Sequence, residues 1–572
     1  MKPIKRCIRS MVPFAVAAIL LILFFNVLSS FVSREMTAET SMTDPLKISG
    51  GLISGIAIGS GVHVYKGIPY AAPPVGSLRW KPPQPAKYWD GVRTCASYGP
   101  VCPQPNWTNL TGKSYSNASE DCLYLNVWTP AKGAGEQLPV MVWFHGGAFM
   151  VGSASDDLYD GGDLARKGVV VVTTNYRLGP FGFFAHPLLS RESGRNASGN
   201  YGLLDQIAVL EWVRDNIRAF GGDPKRVTIF GESAGGRSVA LLMVSPLSKG
   251  LFHRAILESR TVYTTIQDLR KSWYGWPSME TVGERITKEL GTDKANNPLA
   301  ALRAKKTEEI LAASKPALPG LTPALTKGNP FEPIVDGWVI PDDPSDLFDA
   351  GKQHKVPIMA GSNADEATLF FQNMDFNNLR RCKNIIQYAF PKYTDEIFRI
   401  YPMNTSKEAR VAMNGIFGDM SSTAPIRRTV RRVADIGANA WLYYFTHVRS
   451  DERGRELGAY HGSEIRFVFN NLRLGKSPVE AVDRRVADAM SGSWVRFAAT
   501  GNPNGQGLTE WPSYNKAEEP CLDFGAEIVV KHHLKKASCD LFEKVEADRR
   551  AHKFQSPVEE KPLWLWLRNL FN

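Results

Sequence analysis

Val227-Thr228-Ile229-Phe230-Gly231-Glu232-Ser233-Ala234-Gly235-Gly236 is the stretch from which the fold can be read. Residues 227–230 form a short apolar, β-branched run of the kind that fills a strand buried on both faces. The run ends in Gly-x-Ser-x-Gly, and a helix is expected over 237–244. Strand, small residues, then helix is the context of a sharp turn that holds a serine Oγ out of the backbone. Gly231 and Gly235 let strand and helix approach closely. The Ala234 backbone N–H and the positive end of the helix then point to where negative charge would develop.

Upstream, the apolar run Leu138–Phe144 reads as another strand and leads into His145-Gly146-Gly147-Ala148-Phe149. Small residues at a strand end expose backbone N–H groups, so Gly146, Gly147 and Ala148 join Ala234 as candidate oxyanion donors. Removing one such donor typically costs about 2.7–4 kcal/mol of transition-state stabilisation. Further short apolar runs at 169–174, 356–360 and 441–446 read as strands. Between two of the strands, Leu203, Ile207, Leu210, Val213 and Ile217 step by three or four, the spacing of an amphipathic helix over 203–217. Alternating strands and helices predict an α/β architecture: a mostly parallel central sheet flanked by helices. The charged, Pro-containing stretch 268–327 reads as helical insertion material forming a lid or gorge. One catalytic domain is expected over 47–545, with a tail over 546–572.

The 572 residues carry a formal charge of +11. The basic tracts are residues 2–9, the group Arg427, Arg428, Arg431 and Arg432, and residues 531–536. None has interleaved aromatic platforms, so no nucleic-acid partner is expected. Lys2, Lys5, Arg6 and Arg9 precede an apolar run at 11–32 that is long enough to span a bilayer. It reads as a signal peptide or as an uncleaved membrane anchor, followed by a polar linker to residue 46. Both readings export the catalytic domain, secreted, periplasmic or anchored with the domain outside the cytoplasm. Seven cysteines are present, with no C-x-x-C pair or Cys/His cluster of zinc spacing, so no metal site and no cofactor are expected. Sequons stand at Asn106, Asn109, Asn117, Asn196 and Asn404. The sequence leaves the oligomeric state open.

Other segments carry a resemblance. They include Tyr65-Lys66-Gly67-Ile68-Pro69-Tyr70-Ala71, Glu120-Asp121-Cys122-Leu123-Tyr124-Leu125-Asn126-Val127, Asn175-Tyr176-Arg177-Leu178-Gly179, Gly199-Asn200-Tyr201-Gly202-Leu203-Leu204-Asp205-Gln206 and Thr500-Gly501-Asn502-Pro503. With the Ser233 stretch, they resemble the type-B carboxylesterase family, which includes cholinesterases and bacterial para-nitrobenzyl esterases. The similarity runs from about residue 50 to 540. It implies an α/β-hydrolase fold and hydrolysis of small-molecule carboxylic esters through an acyl-enzyme intermediate. It also implies a triad of Ser233, Glu366 (in Asp365-Glu366) and His461 (in His461-Gly462-Ser463-Glu464), in the chain order Ser, acid, His. Glu232 and Ser259 are implied as supporting residues. The resemblance further implies a disulfide between Cys95 and Cys122 that leaves Cys102 unpaired; Cys521 and Cys539 flank a strand and are a further candidate pair.

The chain departs from that pattern at three points. Ala148 stands where many relatives have glycine, Arg237 follows the elbow, and Arg260 stands where glycine is usual. A buried cation needs a partner. Arg260 therefore either pairs with Glu258 or another carboxylate, or joins Arg237 in holding an acidic acyl group, as in an ester of a polycarboxylic acid. Trp107 lies too near the middle of the cysteine loop to match a choline site, so choline esters are not expected. The apolar segment 563–567 would dock on membrane or on the domain itself, and the alternatives are a lipase or amide-cleaving hydrolase of the same fold, or an adhesion module. The last normally lacks the serine that is present here.

Overall fold

The computed structural model describes residues 41–105, 115–273, 276–314, 331–372, 374–473 and 478–552. The basic and apolar N-terminal stretch, the sequons at Asn106 and Asn109, Trp107, residues 315–330 and the segment 563–567 lie outside these residues. In chain order the strands are β1 (Leu46–Ile48), β2 (Gly51–Ser54), β3 (Ile56–Ala57), β4 (His63–Pro69), β5 (Val92–Thr94), β6 (Tyr124–Thr129), β7 (Leu138–Phe144) and β8 (Val170–Thr174). They continue as β9 (Gly222–Glu232), β10 (Arg254–Glu258), β11 (Gln267–Asp268), β12 (Ile334–Val335), β13 (Ile358–Asn363), β14 (Ala440–Phe445), β15 (Pro520–Phe524) and β16 (Ile528–His532).

Eleven strands form the main sheet in the order β16-β15-β14-β13-β10-β9-β7-β8-β6-β4-β3. From β15 through β8, neighbouring strands run parallel, while β16, β6, β4 and β3 add antiparallel margins. The continuous apolar runs in the sequence follow from this placement. Val140, Val142 and Phe144 of β7 enter the core on one face, and Met141 and Trp143 enter the core on the other. A strand whose alternate side chains both meet helices has no polar face to show. Burying each such side chain contributes about 1.5–3 kcal/mol.

Two helices position the site, and both differ from the sequence pattern. Helix α1 (Tyr201–Asn216) carries the expected apolar positions but is buried on almost every side, including Asp205 and Gln206. Asp205 receives two hydrogen bonds from the Arg177 guanidinium, and Gln206 donates to Ser238 Oγ while its Oε1 stays buried without a partner. Helix α2 (Ala234–Leu242) starts three residues earlier than expected. Ala234-Gly235-Gly236 read locally as a turn, yet they form its first turn because Ser233 alone makes the bend. Where described, the 268–327 insertion carries helices at Met279–Glu289, Pro298–Arg303 and Thr307–Ala313, joined by loops and led in by the end of β11.

The cysteine pairing is corrected. Cys102, not Cys95, bonds Cys122, with the Cα atoms 5.0 Å apart. Cys95 is a buried free thiol. Its backbone is held between β2 and β4, donating to Ser54 O and accepting from Lys66 N, which fixes it inside the core. The bridge closes a separation of 20 residues, worth about 3 kcal/mol in the chain-entropy treatment. Cys521 and Cys539 are both free and buried, so they do not pair.

The arginine tract is internal wiring. On helix α3 (Ala424–Asp435), Arg427 bonds Glu519, Asp540 and Glu543, Arg428 and Arg432 bond Asp349, and Arg431 bonds Glu543. Helix α4 (Lys536–Ala551) supplies Asp540 and Glu543, and its Arg550 also reaches Asp349. In the other tract, Lys531, Lys535 and Lys536 pair with Asp523, Asp419 and Asp540. Among the described residues no helix is long and apolar enough to cross a membrane, and no group of His, Cys, Asp and Glu has the arrangement of a metal site.

Candidate active site

Ser233 sits at the end of β9 with φ 56° and ψ −120°, a backbone state that costs a non-glycine residue about 1–3 kcal/mol. The surrounding glycines are needed for the bend. A Cβ on Gly235 would lie 1.9 Å from Phe144 O, and one on Gly231 would lie 2.6 Å from the same atom. The Ser233 N–H donates to Glu258 O on the neighbouring β10, which ties the turn to the sheet.

A strand end and a loop deliver the partners. Glu366 follows β13, and His461 lies in the loop after the helix Glu452–Leu457. His461 Nε2 is 2.8 Å from Ser233 Oγ, and its Nδ1 is 2.5 Å from Glu366 Oε2. The Asn363 N–H donates to Glu366 Oε1 at 3.0 Å. Burial would raise the Glu366 pKa, but His461, the Asn363 N–H and the Arg260 charge together hold it below the usual value. Asp365, the neighbour of Glu366 in the Asp-Glu pair, has a different task. It accepts from the Ala459 N–H and from Asn414 Nδ2, pinning the loop that carries His461.

Gly146 packs against the serine: a Cβ on it would be 3.2 Å from Ser233 Cβ and 2.8 Å from Glu232 Oε2. Gly147 and Ala148 follow at φ 105° and 54°, and Ala234 opens α2. Donors from two segments therefore flank one side of Ser233. His145 stacks on Tyr176, whose hydroxyl donates to His145 O, so the loop is braced from behind. Burial lowers the His145 pKa to about 4.

Beneath the triad lies an acidic cluster that the sequence only partly disclosed. Glu232 Oε1 is 3.1 Å from His461 Nε2. Burial, with the charges of Glu464, Glu366 and Glu258, pushes Glu232 well above the carboxylate range. Ser259 Oγ donates to Glu464 Oε1, and Asn363 Nδ2 donates to Glu464 Oε2. Glu464 is likewise pushed well up, by burial first and then by Glu258 and Glu366. Glu258 accepts from Trp494 Nε1, and burial raises it to about 8. Glu464 was legible in the His-Gly-Ser-Glu run, but the contributions of Asn363, Glu258 and Trp494 depend on contacts that no local pattern announces.

The two arginines separate. Arg237 forms an ion pair with Glu332 and donates to Thr265 O. Arg260 does not pair with Glu258, whose Oε1 is taken by Trp494; its Nη1 donates to Ser421 O at 2.7 Å.

A parallel sheet bearing a strained serine, an imidazole and a buried carboxylate in hydrogen-bonded series defines an α/β-hydrolase of the serine type. The carboxylesterase family model matches residues 43–542. A fumonisin B1 esterase from Sphingopyxis macrogoltabida is 38% identical over 488 residues, covering 84% of this chain and 86% of that protein. A para-nitrobenzyl esterase from Bacillus subtilis is 35% identical over 493 residues, covering 83% and 93%. A solved carboxylesterase from Geobacillus stearothermophilus superposes with a TM-score of 0.74 at 34% identity, covering 87% of this chain and all of its own. The chain belongs to the carboxylesterase family and is a carboxylic ester hydrolase.

Proposed function

We propose that Ser233 is the nucleophile, His461 the general base and acid, and Glu366 the carboxylate that orients it. The observation that carries this reading is the continuous hydrogen-bonded series from Ser233 Oγ through His461 to Glu366. His461 Nε2 takes the hydroxyl proton as Oγ attacks the ester carbonyl carbon. The resulting oxyanion lies against the N–H groups of Gly147, Ala148 and Ala234, with Gly146 keeping the approach open. The C–O bond to the alcohol breaks, and His461 passes its proton to the leaving oxygen. Water, deprotonated by the same nitrogen, attacks the acyl-enzyme; the acid leaves and Ser233 recovers its proton. Glu366, held ionised, stabilises the imidazolium. Glu232 stands beside Nε2, and burial with the charges of neighbouring carboxylates pushes its carboxyl well above the usual range, which disfavours a second negative charge there.

The catalytic domain works outside the cytoplasm. The basic-then-apolar sequence at 2–32 supports this, as does the Cys102–Cys122 bridge, which persists in an oxidising compartment. An uncleaved N-terminal segment would also make the membrane a partner. The ester panel should include 4-nitrobenzyl and fumonisin esters, after the names of the two relatives, with triglyceride emulsions and anilides for the lipase and amidase alternatives. Wild type should cleave soluble esters and Ser233→Ala should not; equal turnover by both would overturn the assignment.

A further inference from the structure

Among the described residues Arg260 is a cation in no ion pair, with carboxylates near enough for their charges to act on it. It follows Ser259 at the end of β10, the strand beside the one that ends in Ser233. Its Nη1 is anchored on Ser421 O, in the turn Asp419–Thr423. That turn packs on the triad: a Cβ on the preceding Gly418 would be 3.3 Å from Glu366 Cβ. Of the carboxylates whose charges act on Arg260, Glu232 stands beside His461 Nε2, and the others are engaged elsewhere. Glu366 is held by His461 and Asn363, Glu332 by Arg237, and Glu258 by Trp494. Arg260 is partly exposed rather than sealed in the core, so space opens beside it. Burial lowers its pKa from the usual value, a cost that an anion would offset.

The direction of that space follows from the groups around Ser233. In the tetrahedral intermediate the oxyanion points to Gly147, Ala148 and Ala234, and the alcohol oxygen points to His461 Nε2. Arg260 reaches in from β10, on the other side of β9 from the β7 strand that leads to Gly147 and Ala148. Its strongest charge coupling is to Glu366, on the Nδ1 side of the imidazole. The direction left for it is that of the acyl chain.

We propose that Arg260 is an anion receptor on the acyl side, selecting esters whose acid part carries a second, free carboxylate: half-esters of dicarboxylic acids and esters of tricarboxylic acids. This rests on Ser233 being the nucleophile. The planar guanidinium, oriented by Ser421, presents its other N–H groups to a carboxylate.

The test compares kcat/KM of the full chain for mono-4-nitrophenyl adipate and for 4-nitrophenyl hexanoate, which differ in the distal carboxylate. Wild type should prefer the adipate half-ester. Arg260→Gly should lower the adipate-to-hexanoate ratio by about 10- to 100-fold, the range of a charge-assisted hydrogen bond. Arg260→Lys should restore part of it, and added salt should weaken the wild-type preference. A ratio unchanged in a folded Arg260→Gly protein would overturn the proposal. So would a preference for an anionic alcohol, tested with the hexanoate ester of 4-hydroxybenzoic acid. Hydrolysis of the hexanoate alone would remove the proposal and leave the nucleophile assignment standing; no hydrolysis of any of these esters, with folded protein, would remove both.

Discussion

The acidic cluster under Ser233 and the ionic hub joining α3 to α4 use the same residue types in opposite ways. Under the serine, Glu232, Glu258, Glu366 and Glu464 are all nine-tenths or more buried, and only Glu366 is held below the usual carboxylate range. Burial pushes the other three up, and neighbouring carboxylates add to the shift at Glu232 and Glu464. In the hub, Arg427 is buried to 1% exposure yet meets Glu519, Asp540 and Glu543. There burial also opposes ionisation of Glu519, but Arg427 outweighs it and holds the carboxyl low. The hub is matched charge that docks the C-terminal helix. The cluster is mismatched charge in which a single carboxyl, the one bonded to His461 Nδ1, is held below the usual range. Matched burial serves assembly; mismatched burial selects which group is charged at the site.

The largest effect should come from neutralising the member held low. Glu366→Gln should lower kcat by about 10⁴-fold with the fold intact, because the amide neither stabilises the imidazolium nor enforces the tautomer. A loss under tenfold in steady-state assays would mean another carboxylate can take its place, and the contrast within the cluster would fail. Next is the hub. Arg427→Leu leaves Glu519, Asp540 and Glu543 without their shared cation and should destabilise the fold by about 3–5 kcal/mol in chemical denaturation. A change under 1 kcal/mol would show that the hub is not matched charge in the sense argued.

A smaller effect of opposite sign is expected at Glu258. Its folded carboxyl titrates at about 8, above an unfolded value near ~4.3. Between those values the folded state keeps a proton that the unfolded chain has lost, so stability falls as pH rises through that window. Glu258→Gln keeps an acceptor for Trp494 and removes the titration. It should therefore be more stable than wild type by about 1–3 kcal/mol at pH 8, with most of the gain gone at pH 5. A gain equal at both pH values would assign it to packing rather than to the proton.

The sheet and the triad were legible because each is written locally. The runs at 138–144 and 227–230 are apolar on both faces, and Ser233, Glu366 and His461 stand in short, distinctive strings. The cluster and hub were not legible, because their partners are far apart in sequence. Arg427 and Glu519 are separated by 92 positions, and Glu258 and Trp494 by 236. From sequence alone the four arginines were only a basic tract without aromatic platforms. Cys95 misled for a similar reason: three cysteines fall within 28 positions, and only the strand context shows that Cys95 is turned into the core while Cys102 meets Cys122.

Covalent capture tests the central claim most directly. A fluorophosphonate ester should inactivate the full chain with one adduct per molecule, and peptide mass mapping should place it on Ser233, with labelling slowed sharply in His461→Ala. An adduct on a different residue that tracks loss of activity, or full esterase activity with Ser233 unlabelled, would contradict the account.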